Sequence, residues 1–157
     1  MPSIYVDADA CPFKDMIERG AVRAGFPVYF VANRNVGIRP KAGVFMLLAK
    51  SGPDEADALI AARAAPGDLV LTADLPLAAD ALAKGARCID FRGQVFDVAT
   101  MAGKLAAREM NETLRGGFTF TGGPTPLSVQ DRTRFANTFD RTLTQMKQSL
   151  GSVTPAL

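Results

Sequence analysis

Five short apolar runs, rich in β-branched and aromatic residues and for the most part separated by stretches of helical spacing, constrain this chain more than any other feature. They are "IYV" (4–6), "PVYFVAN" (27–33), "VFMLLA" (44–49), "LVLTAD" (69–74) and "ARCIDF" (86–91). Such runs suit strands covered on both faces, and strands alternating with helices through right-handed crossovers build a parallel sheet between two helical layers. At 157 residues the chain fits one domain, taken as 1–150, with a patternless tail over 151–157 expected to fray.

The intervening segments carry helix signals. After "DAC", Pro12 is expected at the first helical position, Phe13, Met16, Ile17, Ala21 and Ala24 follow with helical spacing, and Gly25 sits where a left-handed cap belongs. A helix is expected from about Asp54 to Ala65, and another over "PLAADALAKG" (76–85). Beyond residue 91 the pattern changes: "RGQVFD" reads as a turn or small hairpin, 98–115 as a helix, and 116–126 as a glycine-rich loop. Ser128 with Asp131 resembles a capping box opening a helix whose stripe is Phe135, Phe139, Leu143, Met146 and Leu150.

Several classes of chemistry fall away on composition. The chain has no histidine, which removes Ser/His and Cys/His nucleophilic pairs and histidine zinc sites. Its two cysteines, Cys11 and Cys88, read as buried thiols. No apolar run approaches the length of a membrane span and no export signal is visible, so no membrane partner and a cytoplasmic location are expected. Net charge is only +2, but from Arg19 to Pro53 there are bases and no acid, and Asp54, Glu55 and Asp57 follow at once. Such zoning suits an acidic site beside a phosphate-attracting rim.

The acids mark where that site would be. Asp7 and Asp74 end the first and fourth strands, and ligands of parallel sheets bind outside the carboxyl ends of strands, above all where strand order reverses. Asp9 points to the same side as Asp7 if the chain stays extended, and Asp57 lies in the first turn of the helix after strand three. Carboxylates gathered this way repel, by about 4 kcal/mol for a pair 4 Å apart at an effective dielectric of 20. A hard divalent ion, Mg²⁺ or Mn²⁺, offsets that repulsion and can neutralise charge on a phosphodiester. Each acid also has a structural reading. Asp9 is placed to cap the first helix, Asp54 and Asp57 to be a cap and its partner, and Asp74 to cap "LPLAADAL". Asn33, Arg34 and Arg39 lie at and beyond the end of strand two, where they are candidates for holding substrate phosphates, as are the backbone amides of "TGGP" (121–124).

With "VDADACP", "VAN", "DEADALI", "DLVLTADLPLA", "RG" and "TGGPTPLSVQDRTRFA" in this order, the sequence resembles the YaiI/YqxD family of uncharacterised bacterial proteins over nearly its whole length. That family is regarded as PIN-like and related to NYN nuclease-like domains. The resemblance therefore implies a three-layer α/β fold, a five-stranded parallel sheet in order 3-2-1-4-5 and C-terminal helices. It also implies an acid after strand one, an acid on a later helix and the acid of a Thr-x-Asp element, which Asp7, Asp57 and Asp74 match. Many PIN nucleases carry a further acid just after Thr-x-Asp, where Leu75, Pro76 and Leu77 stand here, so Asp9 is the acid left to compensate. The resulting expectation is a metal-dependent phosphodiesterase acting on RNA. In it Asp7, Asp57 and Asp74 hold the metal, Asp9 assists, and Asn33, Arg34 and Arg39 bind the backbone. Two other readings are a PIN-like module that binds RNA or protein without cutting, and an aspartate-nucleophile phosphatase suggested by the Asp-x-Asp of "DAD".

Overall fold

The alternation of strand and helix is realised in a computed structural model that describes residues 1–52, 54–103, 106–107 and 126–152. Six strands form one sheet: β1 (Ile4–Asp7), β2 (Val28–Ala32), β3 (Val44–Leu48), β4 (Leu69–Leu71), β5 (Arg87–Ile89) and β6 (Val95–Phe96). Their order is β3-β2-β1-β4-β5-β6. The first five are parallel, as expected, and the "RGQVFD" hairpin adds β6 antiparallel to β5, extending the sheet by one strand. Helices α1 (Lys14–Ala24), α2 (Glu55–Arg63), α3 (Leu75–Ala83) and α4 (Val129–Ser152) flank the sheet, beside the helical residues at 98–103 and 106–107.

Successive strand residues face opposite ways, so every inner strand feeds two cores. Ile4, Val6, Phe30, Leu69 and Leu71 pack under α1 and α4, meeting Ile17, Phe135, Phe139 and Met146. Tyr5, Val31, Val70 and Cys88 pack under α2 and α3, meeting Ile60, Leu77 and Ala81. This double burial is why the inner strands are apolar throughout rather than alternating with polar residues, whereas β3, at the edge of the sheet, leaves Phe45 and Leu48 exposed and is not covered on both faces as expected. It also fixes the direction of Asp7: one pleat beyond Val6, it falls on the α2/α3 side. Both cysteines are buried and unbonded, as expected.

Local expectations meet tertiary packing at three places. Helix α1 begins at Lys14, so Pro12 lies before it rather than at its first position. Phe13 is the N-cap, and no side chain caps the helix. The cause is the Phe13 ring, which stacks on Phe135 with centroids 5.3 Å apart and holds the entry residue out of helical geometry. Asp54 precedes α2 but accepts no capping hydrogen bond, and α2 ends at Arg63 rather than Ala65, with Ala64 already extended two residues before Pro66. The stripe of α4 is buried from Phe135 to Met146, whereas Leu150 is exposed, since it lies past the covering sheet.

Two local signals hold as read. Gly25 closes α1 at φ 84°, and Ser128 and Asp131 form a reciprocal capping box, Asp131 N–H donating to Ser128 Oγ (3.1 Å) and Ser128 N–H to Asp131 Oδ2 (2.9 Å). Of the expected helix over 98–115, residues 98–103 and 106–107 are helical; the rest of it, the 116–126 loop up to residue 125 with its "TGGP", and tail residues 153–157 lie outside the described residues. No described helix is long and apolar enough to cross a membrane.

Candidate functional site at the carboxyl edge of the sheet

Strand order reverses at β1, whose neighbours are β2 and β4, so the carboxyl ends of β1 and β4 are the position at which open parallel sheets bind their ligands. Asp7 closes β1 there and is buried. Thr72, one residue past β4 and fully buried, donates from Oγ1 to Asp7 Oδ2 (3.1 Å) and accepts from the Asp74 N–H (3.0 Å). One hydroxyl thus locks both strand ends into a fixed relation. Sequence reasoning passed over Thr72 as a site residue, although Thr-x-Asp was the signal for it.

Asp74 caps α3, its Oδ1 accepting from Leu77 N–H at 2.8 Å, as its structural reading anticipated. That bond occupies one oxygen and aims the carboxylate along the helix entrance. Asp57, in the first turn of α2, comes within hydrogen-bonding reach of Asp74. Burial, then the charges of Asp74, Asp7 and Asp54, and a hydrogen bond to Asp74 that needs the Asp57 proton, push Asp57 up to about 6. Asp7 is also raised, chiefly by burial. The Thr72 hydrogen bond opposes that shift, and the charges of Asp9 and Asp74 add to it. Three carboxyls from segments far apart in sequence therefore sense one another electrostatically.

A second buried aspartate supplies the contrast. Asp68, at the amino edge, accepts from the backbone N–H groups of Ser3 and Ala65, both at 2.9 Å, so each of its oxygens has a structural donor. Asp7 has a single hydroxyl donor among the described residues. Its other oxygen accepts no hydrogen bond among the described residues.

Asp9 is placed differently from the extended geometry expected of it. The chain turns at residues 8–10, and exposed Asp9 swings toward β2, accepting from Asn33 N–H at 3.0 Å and lying 3.9 Å from Arg34 Nε. It does not cap α1. Its charge still reaches Asp7. Asn33 ties the edge together: its Nδ2 donates to Gly52 O at 2.6 Å, fastening the segment that leads into α2, while its buried Oδ1 has no partner among the described residues. Its amide is thus committed to positioning the entrance of the Asp57 helix. Arg34 stays largely exposed beside Asp9, and Arg39 is exposed in the β2–β3 connection, with no hydrogen bond or ion pair to the acids among the described residues.

The donors are hard carboxylate oxygens with excess negative charge, the chemistry that suits Mg²⁺ or Mn²⁺. Among the described residues, no three acidic, histidine or cysteine side chains stand together in a metal-holding arrangement. The residues therefore fit an ion bound through one or two carboxylates and its own waters, the usual habit of Mg²⁺, rather than a closed protein cage.

A family model described as "Uncharacterized BCR, YaiI/YqxD family" matches residues 5–145. A UPF0178 protein of Bordetella parapertussis is 41% identical over 152 residues, covering 96% of this chain and 95% of that protein. One from Klebsiella pneumoniae is 42% identical, covering 95% of this chain and 99% of its own length. One from Burkholderia vietnamiensis is 47% identical, covering 88% and 93%. No solved structure gives a significant match.

Proposed function

The chain belongs to the YaiI/YqxD family, and from that premise we propose that it is a divalent-metal-dependent phosphodiesterase acting on RNA. What supports this reading is that burial and the neighbouring acids raise the pKa of Asp7 and of Asp57 at the carboxyl ends of β1 and β4, each of the two sensing the charge of Asp74. Asp7 and Asp74 are the first ligands in this scheme, Asp7 through the oxygen Thr72 leaves free and Asp74 through the oxygen its helix cap leaves free. Bound there, Mg²⁺ or Mn²⁺ supplies a Lewis acid that offsets charge developing on the phosphodiester. Asp57, the third acid of the expected set and raised to about 6, would reach the ion through one of its waters. At neutral pH it is also suited to take a proton from an attacking water at its carboxylate oxygen. Asp9 fixes the β2 exit through Asn33 and holds Arg34 at the rim, where Arg34 and Arg39 attract the backbone.

The test is a Mn²⁺ titration of melting temperature together with cleavage of a labelled single-stranded RNA. Wild type is expected to melt higher with metal and to cleave, and both effects are expected to vanish in Asp7→Asn and with EDTA. An unchanged melting temperature at millimolar Mn²⁺ in wild type defeats the reading. A module that binds RNA without cutting is the second reading, favoured by the cap that occupies Asp74; it predicts metal-independent binding and no cleavage.

A further inference from the structure

The described surface holds a second charged feature at the same edge, on the opposite side of the sheet from the acids. Between α1 and the start of α4 lies a cleft of about 490 Å³ lined by Phe13, Lys14, Asp15, Met16, Arg19 and Arg132, with Pro12 at its lip. Three bases face one acid there. Arg19 and Arg132 are exposed, and Lys14 is half-buried with its Nζ donating to Cys11 O at 2.7 Å. Among the described residues no ion pair is formed by any of the three, nor by Arg23, Arg141 or Lys147 farther along the same helices, whereas Lys41 is paired with Glu18, and Arg92 and Arg134 with Asp131; what distinguishes Lys14, Arg19 and Arg132 is that they line one cleft. Among the described lining residues the cleft therefore carries three positive charges against the one negative charge of Asp15.

We infer that this cleft binds the phosphodiester backbone of single-stranded RNA and leads it over the β1–α1 loop to the carboxylates. The position supports that path. Lys14 follows Asp7 by seven residues, a chain length that spans at most about 25 Å, so a few nucleotides bridge the two. Cys11, between them, lies within electrostatic reach of both Asp7 and Lys14. The shape supports a single strand over a duplex. The volume lies in the range of roughly 300–1,000 Å³ of pockets for small organic ligands, and the half-buried ring of Phe13, its other face on Phe135, offers an apolar wall for a base beside the cations. The amino end of α1, which no side chain caps, faces the same way and adds partial positive charge. The inference deepens the phosphodiesterase reading but is separable from it, because binding here needs neither metal nor cleavage.

Fluorescence anisotropy with a labelled ten-nucleotide single-stranded RNA, in EDTA to prevent metal-dependent cutting, tests it. The triple variant Lys14→Gln/Arg19→Gln/Arg132→Gln is expected to bind about tenfold or more weakly at 50 mM salt. Its log K against log salt slope is expected to be shallower by about 0.7 for each phosphate that is no longer neutralised. A control removing three bases toward the opposite edge, Arg23→Gln/Lys84→Gln/Lys147→Gln, is expected to keep the wild-type slope. Arg132→Gln alone, at an exposed helix position, is expected to show about one third of the slope change and covers the case of a triple variant that folds poorly. Equal slopes for the triple variant and wild type, an equal loss in the control, or tighter binding of duplex RNA than of the single strand would overturn the inference. Asp7→Asn that binds normally yet leaves RNA uncut supports both readings, whereas wild type that binds through the cleft but never cuts with Mn²⁺ keeps this one and removes the other.

Discussion

Replacing Asp57 by asparagine isolates the electrostatic cost of the carboxylate cluster. In the native state burial and the charges of Asp74, Asp7 and Asp54 raise Asp57 to about 6. The folded protein therefore holds this proton more tightly than the unfolded chain, and stability falls as pH rises from about 4 to about 6, after which the deficit persists. A shift of that size corresponds to about 3 kcal/mol at full weight. Asp57 is half-exposed, and solvent screening reduces this to about 1 kcal/mol. The helix dipole acts oppositely, favouring a carboxylate in the first turn of α2 by roughly 0.3–1 kcal/mol, and like charge and burial outweigh it here. Asparagine preserves shape and removes the charge. In urea unfolding with EDTA, Asp57→Asn is expected to match wild type near pH 4 and to exceed it by about 1 kcal/mol at pH 7.5. With Mn²⁺ the advantage is expected to shrink or invert, because a cation neutralises the cost only in wild type. A variant less stable than wild type at pH 7.5 without metal, or parallel pH profiles for the two proteins, refutes the reasoning.

Thr72→Val removes the hydroxyl that joins Asp7 to the Asp74 amide in a fully buried position, so a loss of about 1–3 kcal/mol is expected by denaturant unfolding, along with weaker Mn²⁺ binding by calorimetry; Thr72→Ser restores both. Gly93→Ala is expected to destabilise by at least about 1–3 kcal/mol, since Gly93 has φ 85° and an added Cβ would sit 2.6 Å from the Arg134 backbone carbon; the melting temperature reads this directly. Ser128→Ala removes one half of the capping box and is expected to lower stability by about 1 kcal/mol and fray the start of α4, visible as faster amide exchange there.

Burial of a strand on both faces is written into its composition, so the five apolar runs announce a parallel sheet before any coordinate is known. The same logic makes an acid at the end of such a strand a solvent-edge residue, which is why Asp7 and Asp74 were legible as candidates. Ser128 with Asp131 was legible too, because a capping box is a contact between residues three apart. Asp9 was harder. Its direction depends on a tight turn and on Asn33, a partner 24 residues away, so neighbouring sequence carries no trace of it. Pro12 misled for a similar reason, since the stacking of Phe13 on Phe135 overrides the helix-start signal.

What the chain's order of residues determined by itself was therefore the inventory: covered strands, where they end, and the oxygen-rich, histidine-free chemistry those ends can offer. Only the tertiary structure decided that β1 and β4 are neighbours, that Thr72 bridges Asp7 to Asp74, and that Lys14, Arg19 and Arg132 share a wall. The division follows from range. Strand and helix signals reflect free energies between residues a few positions apart, whereas strand adjacency and helix docking are settled by how whole apolar faces pack, and no local pattern encodes that sum.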